Sequence, residues 1–210
     1  MTLQEYLEFR KRVVELDVDA MKKVETKSPP IDAADFVLRV SYVILNSGMR
    51  WTVAQDIWTR MKLSLIETGE VGDTFGHPGK KKSINQVVSN RSEYFDGFRS
   101  AWQNGPDAVI EFCETLPHIG GITKYHLAKN LGVDIAKPDV WLERVAANSG
   151  EGVQELCSRL SKLAGDSVST VDYVIWKTCQ QGWWRTKHSQ TPTTNRMTRV
   201  RRGLTTLKKN

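Results

Sequence analysis

Residues 116–145, LPHIGGITKYHLAKNLGVDIAKPDVWLERV, mark several helix boundaries within thirty positions. Pro117 ends one helix, because proline disfavours the helical conformation for the residue before it. Gly120-Gly121 suits a short turn, since glycine accepts a positive φ and a close backbone approach. The next helix is expected over about residues 122–130, where stop signals follow. The segment therefore predicts a helix, a hairpin turn and a second helix over about residues 108–131.

The second helix of this motif begins beside two glycines and has no acidic residue in its first turn. The first N–H groups of a helix lack partners within the helix, and that end carries a partial positive charge. Such an end is suited to receiving a phosphate oxygen. The turn over residues 118–123 is therefore a candidate phosphate-binding site.

Asp139 follows Lys137-Pro138 at the start of a further predicted helix. A carboxylate at this position accepts hydrogen bonds from free N–H groups and lies near the positive end of the helix dipole. We therefore expect Asp139 to be ionised at neutral pH. Most aspartates at helix starts act only as caps, so a capping role and a chemical role both remain open.

Two patterns in this segment resemble a known signature: Leu116-Pro117-x-Ile119-Gly120-x-x-Thr123, and then Asp139-x-x-Leu142-x-Arg144-Val145. They resemble the helix-hairpin-helix (HhH-GPD) DNA glycosylase superfamily, which includes endonuclease III and the 8-oxoguanine and 3-methyladenine glycosylases. The resemblance implies an all-α, two-lobed helical fold. It also implies an enzyme that binds double-stranded DNA, flips a damaged or modified base into a cleft and hydrolyses its N-glycosidic bond, leaving an abasic site.

The resemblance gives Asp139 the catalytic role of stabilising the positive charge that develops on the sugar as the base leaves. A fixed anion helps most when it is already in place and needs no reorganisation. The resemblance also implies that the hairpin contacts DNA through His118, Ile119, Gly120, Gly121, Ile122 and Thr123.

The chain departs from the signature at the position of the nucleophilic lysine that bifunctional members carry, which is Ile122 here. Isoleucine cannot form a Schiff base, so we expect a monofunctional glycosylase without lyase activity. Lys124 lies two residues further on and is a second candidate nucleophile. A solvated or phosphate-contacting lysine is the alternative for Lys124, because a nucleophilic amine must be desolvated and aimed.

A second stretch, Gly48-Met49-Arg50-Trp51, resembles the turn of 3-methyladenine glycosylase I that carries a wedge residue and a pocket tryptophan. An apolar wedge fills the gap left by a flipped nucleotide, and an aromatic face receives the base. Met49 or Arg50 is then the wedge, and Trp51 a wall of the base pocket. Core packing of Met49 and Trp51 is the alternative. The acid that reads 3-methyladenine is replaced by Val43, so that specificity does not carry over.

Apolar residues recur at helical spacing through most of the chain, and no alternating strand pattern occurs. An exposed loop is expected over residues 68–83, which contain five Gly or Pro residues and three consecutive lysines. The expected helices besides those of the hairpin lie at about residues 2–23, from 32, from 51, from 84, 92–103, from 106, from 140, 151–163 and 169–181.

Cysteine and histidine usage indicates no metal site and no cofactor. Cys113, Cys157 and Cys179 lie far apart on helical patterns, which fits buried thiols. Three cysteines cannot form the four-cysteine iron–sulfur cluster of several glycosylases. No run of about eighteen apolar residues occurs, so no membrane span is expected. We expect a monomer in the cytoplasm, associated with the nucleoid.

The basic excess is concentrated at the C-terminus. Residues 183–210 hold eight Lys or Arg and no acid, whereas residues 1–182 hold 22 basic and 24 acidic residues. This division predicts a helical glycosylase-like domain over 1–182 and a basic tail over 183–210. A solvated tail and a phosphate-contacting arm both fit its composition.

The sequence is also compatible with two other functions. A non-catalytic helix-hairpin-helix DNA-binding module would use Asp139 only as a cap. A base-modifying enzyme on the glycosylase fold is also compatible with the motif, although the sequence contains no cofactor motif.

Deleting residues 186–210 is expected to weaken duplex binding and to lower the slope of log affinity against log salt, because seven basic side chains leave. Fluorescence anisotropy at several salt concentrations measures both quantities, and circular dichroism checks that the truncated chain stays helical. An unchanged slope would show that the tail makes no phosphate contacts.

Overall fold

The computed structural model describes residues 1–184, which form eleven α-helices and no strand. The helices are α1 (Leu3–Leu16), α2 (Val18–Glu25), α3 (Ala33–Asn46), α4 (Trp51–Glu67), α5 (Pro78–Ser89), α6 (Arg91–Gln103), α7 (Pro106–Thr115), α8 (Thr123–Asn130), α9 (Val140–Ala147), α10 (Val153–Ala164) and α11 (Val168–Gln180). The predicted all-α class is confirmed. The basic-tail prediction falls almost wholly outside the described residues.

The first lobe is built from α3 to α8 around one hydrophobic core. The rings of Phe36 and Phe98 lie at its centre, with ring centroids 5.7 Å apart. Helix α3 buries seven of its fourteen residues, as its apolar spacing predicted. Full burial of each large apolar side chain contributes about 1.5–3 kcal/mol, so this helix anchors the lobe.

The second lobe combines the N-terminal helices α1 and α2 with the C-terminal helices α9, α10 and α11 around a separate core. Tyr6 of α1 is fully buried there, and its hydroxyl donates to Asp166 at 2.6 Å. Helix α11 is mostly buried, because it packs against α1, α2, α9 and α10. The two ends of the described chain therefore belong to one lobe.

The chain crosses between the lobes twice, through residues 26–32 and residues 131–139, and the crossings touch one another. The guanidinium of Arg39 donates to the carbonyl oxygens of Ser28 and Asn130, which holds both crossings to α3. Gly132 has a φ of +100°, and a Cβ at this position would lie 2.8 Å from the Pro29 nitrogen. This close approach requires glycine.

The N-terminal helix predicted as continuous over residues 2–23 is broken, so that prediction was wrong. Asp17 has a φ of −155°, ends α1 and accepts a hydrogen bond from the Ala20 N–H at 3.0 Å. Its side chain thus starts a new helix in the middle of an apolar pattern, because Asp stabilises a helix N-terminus.

The exposed loop predicted over residues 68–83 is also too long. Helix α5 begins at Pro78, which suits the first helical position because its missing N–H has no partner there. Lys80 is buried rather than solvated, and its ammonium donates to the carbonyl oxygens of Leu45 and Ser47. Lys80 therefore holds α5 against the end of α3.

Within residues 1–184, no helix is both long enough and apolar enough to cross a bilayer.

Replacing Gly132 by Ala is expected to destabilise the protein by about 1–3 kcal/mol more than replacing Gly105, because the added methyl group meets backbone atoms. Gly105 is a matched control, since its φ is +101° and nothing lies within 4 Å of an added Cβ. Urea denaturation of both variants measures the difference. Equal losses would show that the crossings are not in close contact.

Candidate active site

A cleft of about 830 Å³ lies between the two lobes. Its walls come from α2, α3, α4, α8, α9 and α11, from the turn between α3 and α4, and from both crossings between the lobes. Five residues singled out from the sequence line this one cleft: Met49, Trp51, Ile122, Thr123 and Asp139.

Asp139 is fixed at the cleft by the helix that it caps. Its Oδ1 atom accepts hydrogen bonds from the N–H groups of Trp141 at 3.0 Å and Leu142 at 3.2 Å. Its Oδ2 atom lies 3.7 Å from the ammonium of Lys137, and 14% of the side chain is exposed. The predicted helix cap is confirmed. The carboxylate is thus a preoriented negative charge with one oxygen free of backbone bonds.

In the turn between α7 and α8, the positive φ expected of a glycine is taken by a histidine. His118 has a φ of +66°, whereas Gly120 and Gly121 do not have a positive φ. A Cβ added at either glycine would meet nothing within 4 Å. Neither the backbone conformation nor internal packing therefore requires these glycines, and they leave the surface of the turn open to an outside molecule.

The side chains of the turn point to different environments. Ile119 is buried in the first core, so its side chain is unavailable to a ligand. Ile122 is 54% exposed and precedes α8, whose N-terminus has no side-chain cap and no acidic residue in its first turn. His118 is exposed overall, but partial desolvation of its ring, followed by nearby Lys80 and His77, lowers its pKa. At neutral pH His118 is therefore mainly an uncharged ring.

Lys124 is not among the residues that line the cleft. Its ammonium forms an ion pair with Glu114 Oε2 at 2.5 Å. The hydrogen bond to Glu114 raises the pKa of Lys124, which favours the protonated form. Protonation and orientation thus both oppose a nucleophilic role for this lysine.

Lys129 of α8 and Asp172 of α11 form an ion pair across the cleft that the sequence did not indicate. Asp172 also accepts a hydrogen bond from the Lys137 N–H at 2.8 Å. Burial, followed by the neighbouring Lys27 and Lys137, lowers the pKa of Lys129. The surroundings of Lys129 thus disfavour a charge on its amine, and Asp172 is the carboxylate that contacts it. Forty-three positions separate the pair, and no local signal connects them.

Aromatic rings form much of the cleft wall. Trp51 is 43% exposed, so core packing does not account for its side chain. Met49 packs on the first core and also reaches the cleft, whereas Arg50 is exposed and outside the cleft lining. Four further aromatic residues line the wall: Tyr42, Trp141, Tyr173 and Trp176. The sequence analysis did not assign them to the site.

The three cysteines are free and buried, as predicted, but lie in different places. Cys113 belongs to the first core, and Cys157 and Cys179 belong to the second. In the part of the chain that the structure describes, no group of three or more His, Cys, Asp or Glu residues is arranged to hold a metal ion.

The fold has two helical lobes, a hairpin-joined helix pair and an aspartate at the cleft between them, and comparison with a solved structure confirms the predicted fold class. A solved structure, the 8-oxoguanine DNA glycosylase of Thermotoga maritima, is similar to this chain with a TM-score of 0.57. The match covers 83% of this chain and 96% of that one at 16% sequence identity, which shows the fold. No protein-family model matches the sequence, and no curated protein sequence does.

Replacing Asp172 by Asn is expected to cost about 3–5 kcal/mol of unfolding free energy, because it leaves the buried ammonium of Lys129 without its counter-charge. Chemical denaturation measures the loss. The double variant Asp172→Asn with Lys129→Met removes both charges and should recover part of the lost unfolding free energy. A double variant less stable than Asp172→Asn alone would contradict the electrostatic explanation.

Proposed function

We propose that the protein is a monofunctional DNA N-glycosylase that flips a damaged or modified base out of duplex DNA and hydrolyses its N-glycosidic bond. The main support for the proposal is the position of Asp139. Its carboxylate is fixed at the cleft between the two lobes of a fold similar to that of a DNA glycosylase. The solved structure with a similar fold is an 8-oxoguanine DNA glycosylase, which supports the class of activity but not a particular base.

In the proposed reaction, Asp139 stabilises the positive charge that develops at C1′ as the base departs. The carboxylate is already oriented by the N–H groups of Trp141 and Leu142, so it needs no reorganisation in the transition state. The oxygen that faces away from these N–H groups is available to orient a water molecule, which completes hydrolysis and leaves an abasic site.

Base flipping is proposed to use the turn between α3 and α4 and the first residue of α4. Met49 reaches the cleft and fills the gap in the duplex, and Trp51 offers an exposed ring face for stacking. Arg50 lies at the rim next to them, where its cation is suited to the phosphate backbone rather than to the gap.

The hairpin between α7 and α8 is proposed to bind the backbone of double-stranded DNA. Gly120 and Gly121 leave room for a phosphate, and the uncapped N-terminus of α8 supplies free N–H groups. In this proposal His118 and Thr123 contact DNA through side chains, while Ile119 contributes only its backbone. The protein acts as a monomer on DNA of the nucleoid.

Monofunctional chemistry follows from the side chains at the nucleophile position. Ile122 lies at the cleft where bifunctional glycosylases carry a lysine, and the ammonium of Lys124 is paired with Glu114. Water is therefore the proposed nucleophile, and no cofactor takes part. A non-catalytic DNA-binding module is the second candidate, because Oδ1 of Asp139 is already committed to capping α9.

Replacing Asp139 by Asn is expected to reduce base excision about 10²- to 10³-fold while leaving duplex affinity nearly unchanged, since the charge is lost and the cap is kept. Single-turnover release of abasic sites from duplexes with modified bases measures excision, and anisotropy measures affinity. Full activity in this variant would favour the binding-module function.

Replacing Ile122 by Lys is expected to create strand-nicking activity and a complex that borohydride traps, provided that the cleft lowers the pKa of the new amine. The unmodified protein should show neither. Lys124→Ala in the unmodified background is the matched control. Strong trapping that disappears in Lys124→Ala would make Lys124 the nucleophile and overturn the monofunctional assignment.

A further inference from the structure

Lys177 of α11 is a buried lysine at the cleft, and its ammonium lies between two tryptophans. Its side chain lines the cleft, and the residue is only 6% exposed. The Nζ atom lies 5.4 Å from the ring centroid of Trp51 and 6.0 Å from that of Trp176. Trp51 belongs to the first lobe and Trp176 to the second, so the ammonium lies where the two lobes meet.

The ammonium has no hydrogen-bond acceptor or counter-charge among residues 1–184. An ammonium has three donors, and its contacts with the tryptophan rings supply no hydrogen-bond acceptor. The Nζ atom is not among the fully buried side-chain atoms that lack a partner, so an acceptor can reach it from the open cleft.

The charges that line the cleft also favour a ligand with a hydrogen-bond acceptor over a cationic ligand. Five lysines and three aspartates line it, a formal excess of two positive charges: Lys23, Lys27, Lys129, Lys137 and Lys177, with Asp17, Asp139 and Asp172. Burial lowers the pKa of His126 well below its ordinary value, so this residue adds no charge.

Two of the aspartates are already engaged with lysines. Asp172 pairs with Lys129, and Asp139 lies near Lys137. These contacts leave Lys177 as an uncompensated cation beside the exposed ring of Trp51.

We propose that Lys177 determines specificity by donating to an oxygen acceptor on the flipped base, so that the substrate is an uncharged or anionic oxygenated base and not a cationic N-alkylated purine. This inference rests on the proposed function and names its substrate class. The base stacks on Trp51, and its added carbonyl or carboxylate oxygen reaches the ammonium beside that ring. A cationic alkylpurine brings positive charge against the lysines of the cleft, and this repulsion opposes its binding even where a carbonyl oxygen is present, as in 7-methylguanine.

The test separates recognition from excision by measuring binding in the Asp139→Asn background. Three duplexes of identical flanking sequence carry 8-oxoguanine, 5-carboxycytosine or 7-methylguanine at one position. The Asp139→Asn protein should bind at least one of the two oxygenated duplexes about tenfold or more tighter than the 7-methylguanine duplex. Adding Lys177→Met should abolish most of that preference.

Two matched variants control for charge and folding. Lys177→Arg keeps the cation and should retain part of the preference, whereas Lys162→Met removes an exposed lysine of α10 and should change nothing. Thermal melts check that each variant folds. If Lys177→Met does not fold, the preference of the Asp139→Asn protein itself still decides the substrate class.

Equal or tighter binding of the 7-methylguanine duplex would overturn the inference, as would a preference that survives Lys177→Met. Failure of the proposed function has a different signature, in which the unmodified protein releases no abasic sites from any duplex. In that case a binding preference that depends on Lys177 would still support recognition of an oxygenated base by this cleft.

Discussion

The ion pair between Lys129 and Asp172 is the contact on which the geometry of the site depends. It joins α8 of one lobe to α11 of the other, and Asp172 also accepts a hydrogen bond from the Lys137 N–H. The same short segment carries Asp139 at the start of α9. A buried ion pair adds little net stability, but it accepts only a narrow range of geometries. The pair therefore fixes how the two lobes present their residues to the cleft.

The cleft combines residues that neither lobe could provide alone. Met49, Trp51 and the N-terminus of α8 come from the first lobe, and Asp139 and Lys177 come from the second lobe and the segment leading into it. The proposed cleavage of a glycosidic bond needs a negative charge near the sugar and a surface that receives the base. Fixed groups meet both needs best, because they require no reorganisation when the bond breaks. The separate cores keep these two sets of groups rigid.

The parts that could be predicted from the sequence are those governed by neighbours within one or two helical turns. The hairpin between α7 and α8 and the cap at Asp139 follow from proline, glycine and aspartate at fixed positions. The break at Asp17 and the start of α5 at Pro78 carried equally local signals. They were missed because the surrounding apolar spacing and glycine content favoured a longer helix and a longer loop.

The sequence by itself determined most of the helices, the hairpin and the helix cap at Asp139, because capping, turn formation and helical periodicity act over a few residues. Only the tertiary structure decided that the N-terminal and C-terminal helices share one lobe, that Lys129 meets Asp172, and that Lys177 lies between Trp51 and Trp176. The contacts of Lys129 with Asp172 and of Lys177 with Trp51 join residues 43 and more than 100 positions apart. Their energies depend on burial and on distance in space, and neither can be read from the order of residues along the chain.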